Sequence, residues 1–230
     1  NLGVGVYLDE TGKIPLLGCV RQAEQDLGAH LAPRGYLPID GMPGYTTAVK
    51  DLIFGGDSEP VTSGRVVTVQ ALGGTGGLRI GAALLRLVDA DAPVLVSDPS
   101  WENHQALFGR AGFAVGRYRY YDADRRRLDV AGMVADLEAA APGTVVVLHA
   151  CCHNPTGYEL TPADWDRVIE VVERRRLTPF LDLAYQGFGQ GISEDAYVIG
   201  KFCAAGLSPM LASSFSKSFA LYGERVGAFS

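Results

Sequence analysis

Short apolar runs that alternate with helix-like segments are the feature that most constrains the fold of this chain. From residue 66 onwards these runs are rich in valine, leucine and phenylalanine, and each is followed by apolar residues at helical spacing. Such runs are typical of strands that are buried on both faces of a parallel sheet. The predicted strands are residues 66–72, 93–97, 113–118, 144–149, 178–183, 210–213 and 225–230, and the predicted helices are residues 20–31, 43–54, 78–88, 101–111, 130–141, 162–175 and 195–205. The sequence therefore predicts a doubly wound α/β domain with helices on both faces of a mostly parallel sheet.

Composition narrows the class of protein. The chain has 230 residues, of which 47% are hydrophobic and 20% charged, and its net charge is -6. This balance argues against a nucleic-acid surface, and the arginine runs at 125–127 and 174–176 lie beside acidic residues, as on a solvated face. We find no signal peptide and no apolar run long enough to span a bilayer, so we expect a cytoplasmic protein without membrane contact.

Cysteines and chain ends give two further expectations. Cys19, Cys151, Cys152 and Cys203 lack metal-ligand spacing, so we expect small buried residues in a reducing cytoplasm and no metal site. A zinc site at His149 and His153 is disfavoured for the same reason. The chain begins without methionine and stops just after an apolar segment, so we expect it to be part of a longer polypeptide.

Polar residues follow several of the predicted strands. Thr75, Asn154, Asp182 and Lys217 each lie at or just past the end of an apolar run. In open α/β sheets, ligands bind at the carboxyl ends of the strands. We therefore expect these four side chains to lie near one another.

Each motif alone leaves an alternative open. The glycine-rich residues 73–77 could cradle a phosphate with help from the Thr75 hydroxyl, or form a plain tight turn; they match neither the dinucleotide fingerprint nor a P-loop. Asn154 precedes a proline, which favours an extended backbone and a fixed amide, although an ordinary turn fits as well. Asp182 follows apolar residues and therefore needs a cationic or hydrogen-bonding partner, which a structural ion pair would also supply.

The remaining candidates are a lysine, an arginine, a histidine, a tryptophan and a tyrosine. Lys217 lies in a segment of small residues with Arg225 close behind, which fits a Schiff-base lysine and a phosphate-binding arginine, or else a surface lysine. Trp101 could stack on a planar ligand or belong to the core, and His104 shares its helical face. With the phenol of Tyr185, this set supplies what pyridoxal phosphate requires.

With these motifs in place, the chain resembles the aspartate and aromatic amino-acid aminotransferases, which are pyridoxal-phosphate enzymes of fold type I. The resemblance runs from residue 1 to residue 227. It is carried by His-Asn-Pro-Thr-Gly at 153–157, Ala-Tyr-Gln-Gly-Phe at 184–188 and Ser-Phe-Ser-Lys at 214–217. Residues 151–153, 194–197 and 214–217 resemble most the bacterial aromatic branch.

The resemblance implies a role for each residue near the cofactor ring. Lys217 forms a Schiff base with the cofactor and carries the proton during transfer. Asp182 pairs with the ring nitrogen, and His104 supports Asp182 from behind. Trp101 stacks on the ring, and Tyr185 is the fourth catalytic residue.

The resemblance also implies the remaining cofactor and substrate contacts. Tyr185 and Asn154 bind the phenolate oxygen of the cofactor, and Asn154, Trp101 and Gly5 contact the substrate. The implied phosphate ligands are Gly74, Thr75, Ser214, Arg225 and Tyr36 of the partner subunit. Some members of the family carry a hydroxyl side chain at the position of Gly73, so the resemblance implies that one phosphate contact is absent here.

The resemblance finally implies an architecture and an activity. Residues 1–35 are expected to belong to a small domain or interface, and residues 36–230 to a large cofactor-binding domain with a seven-stranded sheet, with most of the small domain absent. The expected enzyme is a homodimer with shared sites that moves the amino group of tyrosine or phenylalanine, and of aspartate, to 2-oxoglutarate. The alternatives are a dedicated aspartate aminotransferase and a non-catalytic sensor domain of a transcription regulator. The substrate-binding arginines are expected beyond Ser230.

Overall fold

The computed structural model of the chain describes residues 5–33 and 35–230. The sequence also predicts a glycine-rich, extended stretch at residues 1–7, of which residues 1–4 lie outside the described residues. Eight helices are described: α1 Gly18–Ala29, α2 Pro43–Phe54, α3 Glu59–Thr62, α4 Gly73–Val88, α5 Glu102–Arg110, α6 Val130–Ala139, α7 Pro162–Arg175 and α8 Ile192–Ala204. Nine strands are described: β1 Val69–Leu72, β2 Val94–Asp98, β3 Val115–Arg119, β4 Tyr121–Asp122, β5 Arg127–Leu128, β6 Val145–His149, β7 Thr178–Leu183, β8 Met210–Ser214 and β9 Val226–Phe229.

Seven of the strands form one sheet, in the order β1-β9-β8-β7-β6-β2-β3. The pairs from β8 to β3 are all parallel, whereas β9 runs antiparallel to both β8 and β1. This confirms the predicted mostly parallel, seven-stranded sheet. The small hairpin of β4 and β5 stands apart from it and was not predicted.

The sheet separates two hydrophobic cores. Along β6, Val145 and Val147 pack into the core that contains Leu78 of α4, while Val146 and Leu148 pack into the core that contains Val168 of α7. Side chains of a strand alternate between the two faces, so each face of the sheet is covered by its own helices. The predicted helices on both faces are thereby confirmed.

The structure corrects the expectation for β1. The run at residues 66–72 was expected to be a buried strand, yet its regular part begins only at Val69, and Val67 and Leu72 are 72% and 77% exposed. β1 is the edge of the sheet and pairs only with β9 among the described strands. An apolar run therefore predicted the strand but not its position in the sheet.

The structure also corrects the start of α4. Residues 73–77 were expected to form a turn before the helix, but the helix already begins at Gly73. The glycines at 77 and 81 let α4 lie close to the sheet, because a Cβ at Gly77 would come within 2.5 Å of the Ala228 carbonyl oxygen and one at Gly81 within 2.5 Å of the Phe180 ring. The glycine-rich segment thus serves helix packing as well as the start of the helix.

The predicted N-terminal cap of α7 is confirmed. Thr161 caps α7 as predicted, since its side chain accepts from the backbone N–H of Asp164 while the Asp164 carboxylate accepts from the backbone N–H of Thr161.

The expectation that the cysteines are buried is wrong for Cys19. That residue lies on α1, which has no buried residue, and is exposed. Within residues 5–33 and 35–230, every helix is too short or too polar to cross a membrane.

The close packing of α4 gives a stability prediction. We expect Gly77→Ala to lower the free energy of unfolding by about 1–3 kcal/mol, because the new methyl group would overlap backbone atoms of β9. The urea concentration at the unfolding midpoint measures this. Gly200→Ala in α8 is the matched control, since a Cβ there meets no atom within 4 Å. We expect Gly200→Ala to leave the unfolding midpoint unchanged or to raise it. Equal midpoints for the two variants would contradict the proposed role of Gly77.

Candidate active site

The carboxyl ends of β6, β7 and β8 border a cavity of about 420 Å³. The N-terminus of α4 and the segment that precedes β9 close its other side. The lining residues are Gly5, Gly74, Thr75, Leu78, Trp101, His149, Asn154, Asp182, Ala184, Tyr185, Ser214, Ser216, Lys217, Tyr222 and Arg225. Ten of these were predicted as site residues from the sequence, so the expected convergence at the strand ends is confirmed.

A buried carboxylate forms the wall of the cavity below α5. Asp182 is 4% exposed, and its Oδ2 lies 2.7 Å from Nε2 of the fully buried His104. Since an ionised carboxylate can only accept, His104 Nε2 donates this bond, and Nδ1 lies 3.0 Å from the Ser100 hydroxyl. His104 is not among the described residues that line the cavity, and its role as a support for Asp182 stays a prediction.

Lys217 follows β8 and lies in the cavity beside Tyr185, with its Nζ 4.9 Å from the centre of the phenol ring. Burial lowers the pKa of the Lys217 ammonium, and the positive charge of Arg225 lowers it further, while the carboxylate of Asp182 acts in the opposite direction. The net direction is downward. A larger fraction of this amine is therefore neutral near pH 8 than of an ordinary exposed lysine.

The opposite end of the cavity is suited to an anion. α4 begins there without a side-chain cap from the described residues and without an acidic residue in its first turn, so its N-terminal N–H groups present positive charge. The hydroxyl-bearing residues Thr75, Ser214 and Ser216 line the same end, and the guanidinium of Arg225 lies there too.

Arg225 is held in place by the backbone around it. Its Nη1 donates to the Tyr222 carbonyl oxygen at 3.0 Å and lies 3.4 Å from the Ser216 hydroxyl, and its own carbonyl oxygen accepts from the Gly73 N–H at 2.8 Å. A Cβ at Gly73 would come within 2.5 Å of the guanidinium, and Gly73 has a φ of 68°. The absence of a side chain at position 73 therefore makes room for Arg225.

Asn154 and Tyr185 meet across the cavity. Burial raises the pKa of the Tyr185 phenol and the charge of Asp182 raises it further, whereas the nearby amide of Asn154 acts to lower it. The net pKa of Tyr185 is raised, so the phenol keeps its proton at neutral pH. The pair thus presents an amide and a hydroxyl to any oxygen placed between them.

The N-terminal segment reaches the cavity through Gly5. Two residues later, the Tyr7 N–H donates to the Tyr222 hydroxyl at 2.8 Å, and the Tyr7 ring packs edge-on against Phe188. Tyr222 was not predicted as a site residue. Its role could not be read from the sequence, because the bond to Tyr7 joins residues 215 positions apart.

His149 was also missed as a cavity residue. Its Nδ1 and Nε2 are both buried and have no hydrogen-bond partner among the described residues, and burial holds its pKa well below the usual range. His153, in contrast, is stacked on Tyr120 at 3.8 Å and bonded to the Ser97 and Thr156 hydroxyls. Nothing in the sequence distinguishes these two histidines, but of the two, His149 lines the cavity and His153 does not.

Tyr36 is the predicted site residue that this chain does not bring to the cavity. It is fully exposed and is absent from the lining of the cavity formed by the described residues. Its predicted contact was with a partner subunit, so it stays a prediction.

The family model described as aminotransferase class I and II matches residues 1–230. The chain belongs to this family. The class I and II aminotransferase fold is also that of the solved relatives, in agreement with the predicted fold type I architecture.

Two relatives and one solved structure show how close the match is. The chain is 56% identical to an aspartate aminotransferase of Pseudomonas aeruginosa and 47% identical to an aromatic-amino-acid aminotransferase of Escherichia coli, over its whole length and 58% of theirs. The crystal structure of an aromatic-amino-acid aminotransferase from Burkholderia pseudomallei, covalently bound to pyridoxal phosphate, superimposes with a TM-score of 0.98 at 58% identity and is covered over 57% of its length. The chain thus spans little more than half the length of these relatives.

The lowered pKa of Lys217 gives a prediction for the ligand-free protein. An amine-acylating reagent reacts with the neutral form of a lysine. We therefore expect the pH at which Lys217 reacts at half its maximal rate to be lower than the corresponding pH for the exposed Lys13. Peptide mass spectrometry across a pH series measures both lysines in one sample. Arg225→Gln should move the Lys217 profile to higher pH, whereas Arg110→Gln, at the exposed end of α5, should leave it in place. A Lys217 profile at or above that of Lys13 would contradict the account.

Proposed function

We propose that the protein to which this chain belongs is a pyridoxal-phosphate-dependent aminotransferase. It moves the amino group of tyrosine or phenylalanine, and also of aspartate, to 2-oxoglutarate. The observation that carries this proposal is the position of Lys217, Asp182 and the N-terminus of α4 on one cavity. These supply an amine, a buried acid and an anion cradle, which are the three groups that the cofactor requires.

The described residues fit pyridoxal phosphate. Asp182 would hold the pyridine nitrogen from the cavity wall, where His104 holds its carboxylate in place. The ring nitrogens of His149, which have no partner among the described residues, fit a site that is completed by a polar ligand. Tyr185 and Asn154 would hold the phenolate oxygen, and Trp101 would lie against the ring. The proposed phosphate ligands are Gly74, Thr75, Ser214 and Arg225, to which Ser216 is added by its position.

When bound, pyridoxal phosphate supplies an aldehyde that combines with amines and a ring that takes up electrons from the reacting carbon. Lys217 provides the amine at Nζ, and its lowered pKa lets the same atom act as a base that takes and returns a proton. Asp182 would place its carboxylate at the ring nitrogen, and the bond from His104 fixes the direction of that carboxylate. Trp101 and Leu78 exclude water from the walls.

Relatives named for aspartate and relatives named for aromatic amino acids both support the proposed substrates. Aspartate, tyrosine and aromatic-amino-acid aminotransferases are 56%, 46% and 47% identical to this chain. The motifs at residues 151–153 and 194–197 favour the aromatic branch, and so does the match to the Burkholderia structure at 58% identity. The 56% match to an aspartate enzyme favours the second candidate, a dedicated aspartate aminotransferase. We place the arginines that bind the substrate carboxylates beyond Ser230.

The proposal extends to assembly and location. Residues 1–35 are assigned to a small domain or interface and residues 36–230 to the large cofactor-binding domain. The exposed ring of Tyr36 is assigned to the phosphate site of a second subunit, which makes the enzyme a homodimer with shared sites. A cytoplasmic location and the absence of nucleic-acid and membrane partners belong to the same proposal.

The substrate assignment is tested by kcat/KM for tyrosine and for aspartate on the full-length protein, with 2-oxoglutarate as acceptor. We expect a value for tyrosine at least equal to that for aspartate. Lys217→Ala should abolish turnover, because it removes the amine from the cavity, whereas Lys201→Ala on α8 is the matched control and should retain it.

Two results would contradict this assignment. A kcat/KM for aspartate more than about 100-fold above that for tyrosine would favour the dedicated aspartate aminotransferase. This ratio corresponds to a difference of about 2.7 kcal/mol in transition-state stabilisation. Cofactor binding without turnover of any amino acid would favour the sensor domain.

A further inference from the structure

Two sulfur atoms and a carboxylate meet beside the candidate active site. Cys151 and Cys152 follow β6, and Asp195 lies in the first turn of α8. One ligand atom of each residue, the two Sγ atoms and a carboxylate oxygen, lies within 4.8 Å of the others. The sequence predicted no metal site at these cysteines, because Asp195 is brought to them only by the fold.

The backbone at Cys152 explains why adjacent thiols face the same group. In an extended strand, neighbouring side chains point in opposite directions. Cys152 instead has a φ of 50°, in the left-handed region that few non-glycine residues adopt. This conformation ends the alternation after β6, and both Sγ atoms can then approach Asp195.

The carboxylate of Asp195 is fixed before any ligand arrives. Its Oδ2 accepts from the backbone N–H groups of Gly187 and Gly189, and its Oδ1 accepts from that of Gln190. A carboxylate has about four acceptor positions, so these bonds leave one of them free on Oδ1. Asp195 is 5% exposed, and the ordered loop holds it in one orientation.

The charges around the thiols favour a cation. Among the described residues, the charged side chains that affect the Cys151 and Cys152 thiols are two carboxylates, those of Asp195 and Glu159. Cys151 is buried, whereas Cys152 is partly exposed and offers a path from solvent.

We propose that Cys151, Cys152 and Asp195 form a binding site for a thiophilic divalent cation of the zinc type. Two sulfur ligands and one oxygen ligand are a donor set that zinc accepts, and three protein ligands leave a fourth position for water. The two thiols release two protons when the two metal–sulfur bonds form, and neither sulfur is oxidised. The site is separate from the cavity that contains Lys217, although Cys152 Sγ lies 4.0 Å from the Tyr185 carbonyl oxygen. It does not depend on the proposed aminotransferase activity.

Cadmium titration of the full-length, cofactor-loaded and reduced protein tests the site. Cd²⁺ is the probe because its bonds to thiolates absorb in the ultraviolet. We expect saturation at one equivalent per subunit. Cys152→Ser should weaken binding by more than about 100-fold, since even the loss of an outer-shell partner costs about 10- to 100-fold in metal affinity.

Two matched variants control for the other thiols of the chain. Cys19→Ser removes the exposed thiol of α1 and Cys203→Ser removes the thiol of α8, and both should bind Cd²⁺ as the unmodified protein does. Loss of the absorption in either control, or unchanged binding in Cys152→Ser, would overturn the proposal.

A second measurement does not rely on variants that may fail to fold. Zinc X-ray absorption of the unmodified protein with one equivalent of Zn²⁺ should show two sulfur neighbours at about 2.3 Å and oxygen at about 2.0–2.2 Å. A shell of nitrogen and oxygen without sulfur would overturn the proposal, as would the absence of binding at micromolar Zn²⁺.

Discussion

The buried hydrogen bond between His104 Nε2 and Asp182 Oδ2 is the interaction on which the site depends. The bond links α5 to the end of β7, and its two atoms are 2.7 Å apart. His104 is 0% exposed and Asp182 is 4% exposed. A carboxylate at this depth is costly without a partner, and removal of one partner of a buried pair costs about 3–5 kcal/mol. The bond therefore fixes both the acid at the cavity wall and the start of α5, where Trp101 lies.

The direction of the strands explains how distant residues reach this acid. β6, β7 and β8 are parallel, so His149, Asp182 and the segment that contains Lys217 come to the same edge of the sheet. β9 is antiparallel to β8 and therefore begins at that edge. Arg225 directly precedes β9, and this is why one arginine can lie beside both Lys217 and the N-terminus of α4. A parallel strand in the place of β9 would have put Arg225 at the opposite edge.

The strand ends and the helical spacing were predictable because local sequence determines them. The boundaries of β7 and the cap of α7 were predicted residue by residue, and Asn154, Asp182 and Lys217 do lie on one cavity. What could not be predicted depends on partners far along the chain. The edge position of β1, the bond from Tyr7 to Tyr222 and the meeting of Asp195 with the two cysteines are of this kind. The family resemblance supplied the proposed role of His104, since a histidine on an apolar helix face indicates no partner by itself.

The central claim is that Lys217 is the amine that takes up pyridoxal phosphate in this cavity. It is tested most directly by borohydride reduction of the full-length protein with the cofactor, followed by peptide mass spectrometry. We expect a pyridoxyl phosphate group on Nζ of Lys217, with Lys13, Lys50 and Lys201 unmodified, and loss of that group in Lys217→Ala. Stable attachment to another lysine, or no attachment while Lys217 remains free, would contradict it.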